Sequence, residues 1–135
     1  MLLNGINPAA QSPVSYTLQY HEEDACVHVK VDGLLTPELA GEISGAAAVI
    51  MNEKKCVRLL NDLREGQIPS STVKLWSISN TVQQSGLSRQ IRRAVLVKTI
   101  SPKLQFLQNT MTNRGHQMRI FDDLGAAREW LQEIS

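Results

Sequence analysis

The chain has 135 residues, 14 Lys and Arg against 13 Asp and Glu for a formal net charge of +1, and 42% apolar but only 4% aromatic side chains. That length suits one domain whose core rests on Leu, Val, Ile and Ala. A balanced charge gives no reason to expect nucleic acid or anionic membrane as a partner, and no run approaches the ~20 apolar residues that span a bilayer.

Residues 1–13 hold Gly5, Pro8 and Pro13 among small polar residues and read as a flexible leader to a domain over 14–135. They lack the basic start and apolar core of a signal peptide, so a cytoplasmic protein is expected. "SYTLQY" sets Tyr16, Leu18 and Tyr20 on one face of a strand. "HEEDA" turns the chain, and "ACVHVKV" puts Ala25, Val27, Val29 and Val31 on one face and Cys26, His28 and Lys30 on the other. The two runs predict an antiparallel hairpin ended by Asp32-Gly33.

Thr36 followed by Pro37 predicts the start of a helix, with Leu39, Ile43, Ala46 or Ala47, and Ile50 along one stripe. Gly41 and Gly45 each weaken that helix by about 1 kcal/mol relative to Ala, for which close packing against the sheet is the expected compensation. "CVRLLNDL" is a short apolar run without clean alternation, as in a central strand covered on both faces. After "REGQIP", the run "SSTVKLWSISNTVQQSG" predicts a second helix carrying Leu75, Ile78 and Val82, with Gly86 as its stop.

"IRRAVLVKTI" is a fourth strand, beside which Arg89, Arg92 and Arg93 read as a solvated basic edge. Ser101-Pro102 opens a third helix with Leu104, Leu107 and Met111 on one face, stopping near Asn113-Arg114-Gly115. "QMRIF" is a fifth strand, and Asp122 or Asp123 caps a last helix bearing Leu124, Ala127, Leu131 and Ile134. The order ββαβαβαβα predicts a single α/β domain with a mixed five-stranded sheet and helices packed on it.

This order, with "RLLNDLRE", "SSTVKLW", "NRGHQMRIFDD" and "AAREWL", resembles the SpoIIAA-like proteins of the STAS superfamily over Tyr16 to Ile134. The likeness is greatest to a bacterial branch of small stand-alone proteins that share their fold with CRAL-TRIO lipid-binding domains. In the anti-sigma-factor antagonists of that superfamily, a serine in an Asp-Ser-Ser-Gly-Leu-Gly type motif starts a helix, and its phosphorylation by a partner kinase ends binding to that kinase. The matching place here is Ser70, Ser71 and Thr72, with Pro69 where the motif has aspartate and without its glycines. A phosphate there gains from free helix N–H groups and adds about two negative charges; an unmodified Ser is an ordinary helix cap. The cap is the first reading and the switch the second.

Asp62 ends a central strand where ligands of open α/β sheets bind, and with Arg64 it forms a compact charged group. It either orients a ligand or fastens the loop ahead of Ser70. Trp76, Ile78 and Met111 are candidates to line an apolar crevice between the middle helices, and Arg114 projects from a helix end. Trp130 reads as core. His21, His28 and His116 lack metal-ligand spacing, and Cys26 and Cys56 form no C-x-x-C pair, so no metal and no cofactor is expected. Asp62 and Ser70 are the nearest approach to a catalytic pair, without a histidine base beside them. The resemblance implies a non-catalytic regulatory or interaction module with a protein partner, in some cases a second copy of itself. The alternative is a binding protein for a small apolar or lipid-like ligand.

Overall fold

A computed structural model of the chain describes residues 2–6, 15–84 and 89–133. The chain starts with a strand, β1 (Leu2–Ile6), paired antiparallel with β2 (Ser15–His21). β2 pairs in turn with β3 (Cys26–Leu34), setting Tyr16 opposite Val31, Leu18 opposite Val29 and Tyr20 opposite Val27. The expected leader is thus corrected at Leu2–Ile6, where the outer edge of β2 offers unpaired backbone groups that another strand satisfies. Residues 1 and 7–14 lie outside the described residues.

Helix α1 (Pro37–Lys54) begins at Thr36, whose hydroxyl accepts from the Leu39 amide at 3.1 Å. It leads to β4 (Arg58–Asp62), parallel to β3. A two-residue strand, β5 (Gly66–Gln67), then returns alongside the end of β3. Helix α2 (Thr72–Gln83), strand β6 (Arg92–Leu96), helix α3 (Pro102–Asn113), strand β7 (Gln117–Phe121) and helix α4 (Leu124–Gln132) follow. The main sheet runs β1-β2-β3-β4-β6-β7. The five predicted strands and four helices are all present, with β1 and β5 added. The expected stop at Gly86 and the contribution of Ile134 fall outside the described residues.

From β3 onward each crossover moves one strand in the same direction. Right-handed connections therefore put α1, α2 and α3 on the same face of the sheet. The opposite face is left to α4, which packs on β4, β6 and β7. Two cores result. One joins Leu18, Val27, Val29, Val31 and Leu59 to Leu39, Ile43, Ala47 and Ile50 of α1. The other joins Leu60, Ala94, Leu96 and Phe121 to Ala127 and Leu131 of α4. Leu59 and Leu60 are both buried, as a strand covered on two faces requires.

The glycines of α1 depart from expectation. A Cβ on Gly41 would stand 2.8 Å from Thr81 Cγ2, so its close neighbour is α2 and not the sheet, while a Cβ on Gly45 would meet nothing within 4 Å. The arginines of β6 depart too. Consecutive strand residues point to opposite faces, and here both faces are covered. Arg92 packs under α4 with its guanidinium 4.4 Å from the Trp130 ring, and Arg93 is 6% exposed. Of the three cations read as a solvated edge, Arg89 alone is on the surface.

Candidate functional site

The loop after β4 brings the chain from Asp62 to the start of α2. The Asp62 carboxylate accepts from the Arg64 amide at 3.1 Å and from Arg64 Nε and Nη2 at 3.0 and 2.9 Å. Burial acts to raise the Asp62 pKa, but the Arg64 hydrogen bonds and the charges of Arg64 and Lys30 outweigh it and leave the group below its ordinary value. The carboxylate fastens the turn, and it makes no hydrogen bond to Ser70 among the described residues.

Ser71 is the residue before the first turn of α2, in extended conformation, and its hydroxyl accepts from the Lys74 amide at 3.4 Å. Ser70, Ser71 and Thr72 are all exposed. The Lys103 ammonium, at the start of α3, donates to the Ser70 carbonyl. One cation from a neighbouring helix therefore stands beside the serine pair.

From this start α2 presents two faces. Outward, Trp76 meets Phe106 of α3 edge-on at 6.4 Å, and the Arg114 guanidinium lies 5.2 Å from the Trp76 ring. A shallow groove there is lined by Thr72, Leu75, Trp76, Pro102, Lys103 and Phe106. Phe106 is 61% and Val73 77% exposed. Inward, Ile78 and Met111 line a different space, a cavity beneath α1, α2 and α3. Trp76 is not among the residues around that cavity, so the expected crevice of Trp76, Ile78 and Met111 is divided: Trp76 belongs to the outer groove, Ile78 and Met111 to the inner cavity.

The histidines behave separately. His21 and His28 stack with ring centroids 3.8 Å apart, and burial, followed by His21 and Arg128, pushes the His28 pKa down to about 4. His116 is buried, with Nδ1 3.2 Å from Arg93 Nη2. Cys26 and Cys56 are free thiols; burial, then Cys56 and Asp24, pushes Cys26 up to about 12. Among the described residues no group of three or more His, Cys, Asp or Glu is placed to hold a metal ion, and no helix is long and apolar enough to cross a membrane.

Phe106, Lys103 and Arg93 were not singled out from the sequence as site residues. Phe106 carried a signal in principle, as a large apolar residue off the apolar stripe of its helix. Arg93 carried one too, since two adjacent cations inside a strand covered on both faces put at least one of them under cover.

No protein-family model and no curated protein sequence matches the chain. Its likeness lies in solved structures. The crystal structure of an anti-sigma factor antagonist from Mycobacterium paratuberculosis covers 92% of this chain and 98% of its own at 14% identity, with a TM-score of 0.60. A protein from Shewanella loihica PV-4, of the DUF3478 family and described as having a SpoIIAA-like fold, covers 96% of this chain and 93% of its own at 17% identity, with a TM-score of 0.46. The chain has the SpoIIAA-like fold that its sequence resembles.

Proposed function

We propose that the chain is a non-catalytic regulatory module of the STAS type, which docks a protein partner on the outer face made by the start of α2 and by α3. The observation that carries this reading is the apolar patch of Val73 and Phe106, both exposed, and of half-buried Trp76, beside Ser70, Ser71 and Thr72. Contiguous apolar surface of this kind marks contact sites. Lys103 and Arg114 at its rim supply charge for orientation. The fold is shared with a protein described as an anti-sigma factor antagonist, which by that description acts against another protein.

A regulatory step fits the same place. A phosphate on Ser70 or Ser71 would meet the free N–H groups of the first turn of α2 and the Lys103 ammonium, while bringing about two negative charges to the rim of the apolar patch. In an unmodified chain Ser71 is the helix cap, so the switch and the cap share one residue. A cytoplasmic site of action belongs to this proposal, as does self-association through the patch.

The test is quantitative cross-linking and pull-down with the full chain as bait. Phe106→Glu and Val73→Asp should each weaken capture of a reproducible partner at least tenfold, about 1.4 kcal/mol. Val49→Asp, on the exposed side of α1 where Val49 is 60% exposed, should leave it unchanged. Equal capture by Phe106→Glu and the parent would sink the docking reading. If Ser70→Asp and Ser71→Asp leave capture untouched, the switch is wrong while the docking surface stands. Sedimentation over a range of concentrations separates a second copy of the chain from a different partner.

A further inference from the structure

The inner face of the sheet, under α1, α2 and α3, is not filled. It holds an open-sided cavity of about 140 Å³ whose wall is mostly apolar, with Ala47, Leu59, Leu75, Ile78, Val95 and Ile120 among its residues. One charged side chain stands in that wall. Arg93 lies on the face of β6 that also carries Val95, next in register to Leu59 on β4 and Met118 on β7, both of which line the same space.

Arg93 is 6% exposed, and its Nε has no hydrogen-bond partner among the described residues. Its Nη2 meets His116 Nδ1 at 3.2 Å. A guanidinium only donates, so that imidazole nitrogen accepts, and the ring stays neutral. Burial, followed by Arg93, Arg89 and Arg114, holds the His116 pKa below its ordinary value. Histidine therefore adds no negative charge, and none of the described residues that line the cavity is acidic. A cation out of water without a counter-ion is costly, and is kept where something pairs it.

We propose that this cavity is the binding site for a small organic monoanion, a carboxylate on an aliphatic or aromatic body, with the carboxylate on Arg93 and the body against the apolar wall. The planar fork of the guanidinium fits a carboxylate, and a single cation balances a single negative charge. An apolar cavity of ~150 Å³ takes up benzene, so this one admits one ring or a short chain as the body of the ligand. The proposal does not rest on the docking surface: Trp76 and Phe106 do not line this space, and Leu75 and Leu107 stand between it and the outer groove.

Hexanoate and phenylacetate, with hexan-1-ol and phenylacetamide as neutral counterparts, are to be titrated into the full chain by calorimetry and by NMR. Each acid should bind at least tenfold more tightly than its neutral counterpart. Arg93→Met should erase that preference, and Ile78→Trp, which fills the cavity with the charge left in place, should abolish binding of the acids. Without ligand, Arg93→Met should melt at or above the temperature of the parent, because it removes an uncompensated charge. Acids that bind no better than neutral probes, that fail to bind, or that keep their advantage in Arg93→Met would each overturn the proposal. Should Arg93→Met not fold, Arg93 is structural and the charge argument fails with it; acid binding unchanged by Ile78→Trp would place the ligand elsewhere.

Discussion

Gly41 and Gly45 offer a controlled experiment on what holds α1 against α2. Both sit inside one helix, one turn apart, and replacing either by Ala gains the same ~1 kcal/mol of helix propensity. At Gly45 the new methyl meets nothing within 4 Å, so the gain should appear in full. At Gly41 it would come to 2.8 Å from Thr81 Cγ2, against the ~3.5–4.0 Å of ordinary carbon contacts. Thr81 cannot turn aside without loss, because its hydroxyl donates to the Ser77 carbonyl at 2.9 Å. Overpacking of this kind costs about 1–3 kcal/mol, so Gly41→Ala should be neutral to destabilising by about 2 kcal/mol. In urea unfolding the two variants should therefore differ by about 1–3 kcal/mol, or very roughly 3–5 °C in Tm per kcal/mol for a chain of this size. Thr81→Ser removes the offending methyl and keeps the hydroxyl. In that background Gly41→Ala should recover its helix gain, which a double-mutant cycle reads as a favourable coupling. If Gly41→Ala stabilises as much as Gly45→Ala does, the close approach of α1 to α2 is not what requires a glycine there.

Other expectations concern single groups. His28 binds a proton less readily when folded, its pKa lying at about 4 against an ordinary 6.5, so the unfolded chain takes up protons first and stability should fall as pH drops from about 6.5 to about 4. Denaturation curves at pH 7 and pH 5 should show a smaller difference in His28→Gln than in the parent. Asp62 has the same sign over a lower range: its depressed pKa contributes stability above its ordinary value of 3.8 that is lost as pH falls through the folded value. Asp62→Asn should cost on the order of 1 kcal/mol at pH 7, given the half-exposed Arg64, and the difference should shrink as pH falls below 3.8. Arg58 Nε donates to the Leu131 carbonyl at 2.9 Å and Arg92 Nη1 to the Trp130 carbonyl at 2.6 Å, so two strands hold the end of α4. Arg58→Met and Arg92→Met should each lose about 1.5–3 kcal/mol, with a shift of Trp130 fluorescence in a Trp76→Phe background; an unchanged midpoint would mean that α4 is held by packing alone.

Much of this architecture was legible along the chain because its signals are local. Thr36, Ser71, Ser101 and Asp123 each accept from an amide two or three residues ahead, so a helix start is written within four residues. Alternation in "SYTLQY" and "ACVHVKV" set the register of the hairpin, since a slip by one residue would have turned Leu18 and Val29 out of the core. Asp62 as the fastening of its own loop was legible for the same reason, with its partner Arg64 two residues away. What was not legible is what meets across distance. Trp76 joins Phe106 and Arg114, which lie 30 and 38 residues further on; that Trp76 and Ile78, two positions apart on one helix, face different spaces could have been read from their spacing.

The sequence by itself determined the order and kind of the elements, where the helices begin, and which stripe of each is apolar. It determined as well that Arg92 and Arg93 point to opposite faces of their strand, because the side chains of a strand alternate whatever surrounds it. Only the tertiary structure decided what each then meets. The repeated right-handed crossovers stacked three helices on one face and left one for the other, so Arg92 found the carbonyl end of α4 and the Trp130 ring, while Arg93 was closed under α1, α2 and α3 beside a neutral histidine and an unfilled space. Burial is a property of what covers a residue, and that cover comes from segments far away in the chain.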